Sequence, residues 1–103
     1  MPVVVTAVFH PAPGRKDELV EALRATIPGV HTERGCLLYA IHDAEDGTIT
    51  MIEKWASVAD LDTHGSSPEG RALSTAIGEL VAEPPGVTRM TPILVGDAAL
   101  GEL

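Results

Sequence analysis

Among the side chains between Gly35 and His64 that can take, hold or donate a proton, Tyr39, Glu53, Trp55 and His64 stand out. They include the only Tyr and the only Trp of the chain, and a single Phe, Phe9, completes its aromatic residues. Such a concentration points to a pocket rather than to a dispersed aromatic core. A neutral imidazole suits proton removal from a phenol near neutral pH. A carboxyl group buried beside an indole has its pKa raised and can also act as a base. Indole and phenol rings wall apolar ligand sites, and the indole N–H is a hydrogen-bond donor at the mouth.

Each of these residues also has a plainer reading. Trp55 closes a core equally well, and Glu53 fits an exposed strand position paired across a hairpin. His64 follows a short capped helix, where an imidazole meets the negative end of the helix dipole. Tyr39 can be a core residue with a satisfied hydroxyl. His10 and His42 lie near strand ends and His31 near a helix end, where histidines are solvated or structural. Neither H-x-H, H-E-x-x-H nor a Cys/His cluster is present, so no metal site is expected. Cys36 is the only cysteine; it has no neighbouring base or cation and reads as a small buried hydrophobe. No glycine-rich loop opens a helix after a strand, and Gly65-Ser66-Ser67 is a capping loop rather than a nucleophile elbow.

The elements that must position these groups follow from pattern and punctuation. Residues 3–10 are β-branched and apolar and predict a first strand, ended by Pro11-Ala12-Pro13-Gly14. From Arg15 the period becomes helical, with Leu19, Val20, Leu23, Ile27 and Val30 on one stripe. Asp17 and Glu18 suit its first turn. Pro28-Gly29 is expected to kink or interrupt this helix, and Glu33-Arg34-Gly35 closes it. Residues 36–43 and roughly 48–56 form two strands around an Asp46-Gly47 hairpin turn. Ser57 and Asp60 suggest a capping box for a short helix to about His64. Ser67 and Pro68 start the next, whose stripe is Ala72, Leu73, Ala76, Ile77, Leu80 and Val81. Glu83-Pro84-Pro85-Gly86 breaks it, and Val87 to Val95 is read as a fourth strand.

The order β-α-β-β-α-β is the split βαβ arrangement of an α+β, ferredoxin-like antiparallel sheet in one domain spanning residues 1–103. Its strands are apolar on both faces: Val3, Val5, Ala7 and Phe9 alternate with Val4, Thr6 and Val8, and Leu38 and Ala40 with Leu37, Tyr39 and Ile41. Two helices cover one face of such a sheet, so a second copy of the chain is expected on the other. That gives a homodimer, a dimeric α+β barrel, with higher homo-oligomers left open. The tail, residues 94–103, is expected to pack across the partner subunit.

Bulk properties narrow the partners. The chain is 45% hydrophobic and 21% charged, an ordinary globular balance. Seven scattered Lys and Arg against fifteen Asp and Glu give a net charge of −8, which argues against nucleic acid and anionic membrane surfaces. No apolar run approaches the roughly 18–20 residues that span a bilayer. The N-terminus lacks the basic region of a signal peptide, so a cytoplasmic protein is the expectation.

Taken in order, Pro13-Gly14, Gly35-Cys36 with Tyr39, Glu53-Lys54-Trp55, and His64 followed by Ser66 and Ser67 resemble the antibiotic biosynthesis monooxygenase family. The tail from Pro92 to Asp97 also looks like that of small actinobacterial members. The resemblance implies oxygenation of a small electron-rich aromatic substrate, a quinol, phenol or anthrone, by O2 without flavin, haem or metal. A base removes a proton, donors stabilise the anion, and the anion reduces O2. Carried over, Trp55 is donor and aromatic wall, His64 the candidate base, and Tyr39 and Glu53 supports. Polyketide-oxidising relatives tend to have an amide and a tyrosine where this chain has Met51 and, approximately, Leu61. Those two become substrate-binding positions, and with no Asn or Gln in the chain a simpler quinol is favoured over an anthrone. Two other functions carry weight: a non-catalytic dimeric module that binds an apolar small molecule, and haem degradation. Haem-degrading relatives use an asparagine on the first strand, where this chain offers Thr6, Ala7 or Val8.

Overall fold

A computed structural model describes all 103 residues. The elements are β1 (Val3–Phe9), α1 (Lys16–Val30), β2 (Cys36–Asp43), β3 (Ile49–Trp55), α2 (Val58–Gly65), α3 (Pro68–Ile77) and β4 (Gly86–Met90). The strands form one sheet in the order β2-β3-β1-β4 with every pairing antiparallel, which is the ferredoxin-like α+β arrangement. The core lies between the sheet and the helices. Val5, Ala7 and Phe9 of β1 and Ile49, Met51 and Trp55 of β3 meet Leu19, Leu23, Ile27 and Val30 of α1 there, with Leu73 and Ile77 of α3. Period-two strands and a period-four helix stripe thus bury their apolar sides against one another.

Four local expectations need correcting. Pro28 does not interrupt α1, which runs on to Val30. The amide that proline lacks would have bonded the carbonyl of Arg24, and both residues are exposed, so water can satisfy that carbonyl. The fourth strand stops at Met90 instead of Val95, because its partner β1 runs out: Val4 pairs with Met90, only Val3 precedes it in the strand, and Pro92 has no amide to give. The last helix ends at Ile77. Leu80 and Ala82 instead tie backbone to the loop after β1, through Ala12 N–H to Leu80 O at 2.9 Å and Ala82 N–H to His10 O at 2.7 Å. Of its expected stripe, only Leu73 and Ile77 are buried, while Ala72 and Ala76 are exposed. In β2 a bulge sets Leu37 out of register between Cys36 and Leu38, so it does not share the Tyr39 face.

The other face of the sheet carries Val4, Thr6, Val8, Leu38, Ala40, Thr50, Ile52, Lys54 and Met90, and no element of the chain covers it as the helices cover the first. Beyond β4, Ile93, Val95 and Leu100 project into solvent. The end of the tail turns back, so that Glu102 and Leu103 line a depression with Met1, Pro2 and Lys54.

Candidate active site

On the covered face the sheet and helices leave a half-open cavity of about 240 Å³. Val5, Ala7 and Phe9 of β1 and Val87 of β4 form its floor, and Leu61, Leu73 and Ile77 come from the helices. The polar groups on this apolar wall are few: Tyr39, Glu53, His64, Ser74 and Arg89.

His64 is delivered to the cavity by two helix caps. Ser57 accepts a hydrogen bond from the Asp60 amide at 3.1 Å and starts α2; its hydroxyl also donates to Asp60 Oδ2 at 3.0 Å. Ser67 accepts from the Gly70 amide at 3.0 Å and donates to the His64 carbonyl at 2.9 Å. The cap of α3 therefore pins the last turn of α2, and with it the imidazole.

The ring of His64 is fixed on three sides. Its Nδ1 lies 2.7 Å from Glu33 Oε2, with both side chains nearly buried at 12% and 10% exposure. Its Nε2 lies 3.5 Å from the Tyr39 hydroxyl, a long contact. Its plane stacks on the Trp55 indole, with centroids 4.7 Å apart and 29° between planes. A carboxylate at Nδ1 selects the tautomer with its proton there, leaving the Nε2 lone pair facing Tyr39 and the cavity. Glu33 is a residue the sequence did not single out. It reaches the site because Gly35, at φ +79°, turns the chain sharply between α1 and β2, and a Cβ at Gly35 would collide with the Asp60 carboxylate.

Beneath the imidazole, Trp55 Nε1–H donates to Glu53 Oε1 at 2.9 Å, and both side chains are buried. Burial holds the Glu53 carboxyl above its usual range; the Trp55 hydrogen bond and the charges of His64 and Arg89 only partly oppose this. Burial likewise raises the Tyr39 phenol, with the charges of Glu53 and Glu33 adding to it, so Tyr39 stays a neutral donor.

The expected residues thus separate by position. Tyr39, Glu53, Leu61 and His64 line one cavity. Trp55 is 0% exposed behind His64 and its N–H is already given to Glu53, so it stiffens the site from behind instead of forming the mouth. Met51 is also 0% exposed and sits in the core, away from the cavity wall. Its strand position puts it on the same face as Glu53, two residues further from Trp55. His10, His31 and His42 lie apart from the cavity: His10 pairs with Glu83, while His31 and His42 bond the carbonyls of Tyr39 and Thr50. Nowhere do three His, Cys, Asp or Glu side chains converge to hold a metal ion. Arg89, a second residue the sequence did not single out, lines the cavity from β4.

An antiparallel sheet of this order, under helices that hold a His–Glu pair against an apolar cavity, defines a small ferredoxin-like α+β class. Residues 2–76 match the family model described as antibiotic biosynthesis monooxygenase, and the chain belongs to that family. Protein Rv0793 of Mycobacterium tuberculosis, provisionally named a monooxygenase, is 33% identical over 93 residues, covering 89% of this chain and 92% of its own. The structure of Rv0793 superposes with a TM-score of 0.83 over 95% of this chain and 99% of that one, at 32% identity. PA3566 of Pseudomonas aeruginosa follows with a TM-score of 0.79 at 26% identity, over 89% and 94% of the two chains. No helix of the chain is long and apolar enough to cross a membrane.

Proposed function

We propose that this chain is a monooxygenase that needs no flavin, haem or metal and oxidises a small phenol or quinol with O2. The observation that carries this reading is His64, held between Glu33 and Tyr39 at the wall of an apolar cavity. The substrate O–H bond breaks, its proton goes to His64 Nε2, and Glu33 stabilises the imidazolium that results. The Tyr39 hydroxyl is then free to donate to the phenolate oxygen. The phenolate passes one electron to O2, and the resulting radicals join through a C–O bond. For a quinol, cleavage of the O–O bond leaves a hydroxylated quinone and one water, with all four electrons supplied by the substrate.

Size favours a compact substrate. A dry cavity of about 150 Å³ takes one benzene ring. At about 240 Å³ this one accommodates one or two rings, and a third would project through the mouth. The uncovered sheet face, apolar at Val8, Leu38 and Ile52, supports a second copy of the chain as partner, which makes the working unit a homodimer.

Oxygen uptake by metal-stripped, flavin-free protein over a panel of one- and two-ring quinols tests the reaction. Uptake that scales with protein and collapses in His64→Ala is the expected result. Uptake no faster than autoxidation across the panel overturns the oxygenase reading and leaves a binding module. Quenching of Trp55, which touches His64, would then report the ligand.

A further inference from the structure

The polar groups of the cavity floor fall on one line across the sheet. Tyr39 pairs with Glu53, Glu53 with Val5, and Val5 with Arg89, so one residue from each strand stands in register on the same face. All four line the cavity. Their backbones span three strand spacings, about 14 Å. At one end the row presents the phenol of Tyr39 and, beside it, the base His64; at the other it presents a guanidinium.

Arg89 is the only Lys or Arg among the residues lining the cavity. It is half exposed at the mouth, where Nη1 meets Asp62 Oδ1 of α2 at 2.8 Å, and no other acidic side chain pairs with it. A guanidinium carries five N–H donors in a planar fork suited to a carboxylate, and one contact leaves most of them free. Half-exposed ion pairs are weak, so Asp62 is a displaceable occupant. Glu53 lies between the two ends and is not paired with the guanidinium.

From this row we infer that Arg89 is an anion-binding subsite, and that the substrate is an aromatic hydroxy acid lying along the floor. Its hydroxyl faces His64 and its carboxylate, at the far end of the ring system, faces Arg89. The inference rests on reading the cavity as the reaction site, and it adds a charge requirement to that reading. The row favours ligands whose hydroxyl and carboxylate are apart over those in which they are adjacent, because Tyr39 and Arg89 stand on its two outer strands.

Calorimetric titration of the full chain tests it without relying on turnover. The probes are 6-hydroxy-2-naphthoate, 2-naphthol, which lacks the carboxylate, and 3-hydroxy-2-naphthoate, which places the two groups side by side. A charge-assisted hydrogen bond at a half-exposed site predicts that 6-hydroxy-2-naphthoate binds about tenfold more tightly than either other probe. Arg89→Met should abolish this preference and leave 2-naphthol affinity unchanged, while Arg89→Lys retains part of it. Asp62→Asn, which frees the guanidinium, should enlarge it. Equal affinities for the three probes, a preference that survives Arg89→Met, or no binding of any probe overturns the inference. Oxygen uptake fails or succeeds separately: a carboxylate preference without uptake sinks the oxygenase reading alone, and uptake on neutral quinols without the preference sinks the subsite alone.

Discussion

The base role proposed for His64 rests on what each ring nitrogen faces. Nδ1 has the Glu33 carboxylate and Nε2 has a neutral phenol, so the two nitrogens are unequal before any substrate arrives. Glu33→Gln keeps an oxygen that can accept from Nδ1–H but removes the charge that stabilises imidazolium. The expected loss is roughly 10²-fold in kcat with little change in KM, since the ground state is still bound. Wild-type rates in the variant, measured by oxygen uptake, would remove Glu33 from the mechanism. Glu53 yields a stability prediction. Its carboxyl is raised in the folded chain above the ordinary 4.5, so the folded state holds the proton more tightly than the unfolded one. Its contribution is therefore full below pH 4.5 and lost as pH rises through the raised folded value. Glu53→Gln, neutral throughout, should gain in Tm relative to wild type over that rise; a constant difference between the two melting curves across pH would contradict the assignment. Tyr39, Glu53 and His64, which share one cavity wall, were legible as candidates because rare or reactive types cluster in sequence. Glu33 and Arg89 were not, since each is one acidic or basic residue among many until the turn at Gly35 brings Glu33 to His64 and the register of β4 brings Arg89 to the cavity.

Helix starts were the most legible elements, because capping is local chemistry: Ser57 and Ser67 cap the helices the sequence assigns to them. Helix and strand ends were less so. Pro28 near the C-terminus of α1 removes a hydrogen bond whose carbonyl faces water, and the last residue of β4 depends on where β1 begins, which only pairing reveals. The two short helices of the second crossover matter beyond the fold. A Cβ on Gly70 would stand 2.5 Å from the His64 carbonyl oxygen and 3.4 Å from its Cε1, so α3 must approach the end of α2 as glycine. Ser67→Ala removes the cap that also grips His64. It should cost about 1 kcal/mol, a drop of roughly 4–8 °C in Tm for a chain this size. Because the same hydroxyl holds the His64 carbonyl, oxygen uptake should fall further than the lost stability explains. An activity unchanged at temperatures where the variant is fully folded would show that α2 holds the imidazole without help from α3.

At the scale of the whole molecule the chain leaves one large job undone. Its helices cover one side of the sheet, while Val8, Leu38, Ala40, Ile52 and Met90 remain on the other. The apolar strands made that need visible in the sequence, since a sheet with one wet face alternates apolar with polar. The sequence also carried the expectation that the tail packs across the partner subunit. Ile93, Val95 and Leu100 are 79%, 72% and 88% exposed, apolar side chains that a monomer gains nothing by holding in water. They follow β4, an edge strand whose outer backbone groups have no partner in the chain. A face-to-face dimer would bury the open face, and the tail reaching over its rim would bury these residues too. Truncation after Pro92 should therefore lower both dimer affinity and Tm, whereas His64 and Glu33, on the opposite face, keep their geometry. Sedimentation as a function of concentration separates the cases. A truncated chain that sediments as a dimer as tightly as the full one, with the same Tm, would mean the tail packs only on its own subunit. A full chain that stays monomeric at all concentrations would leave the apolar face without its partner and defeat the dimer itself.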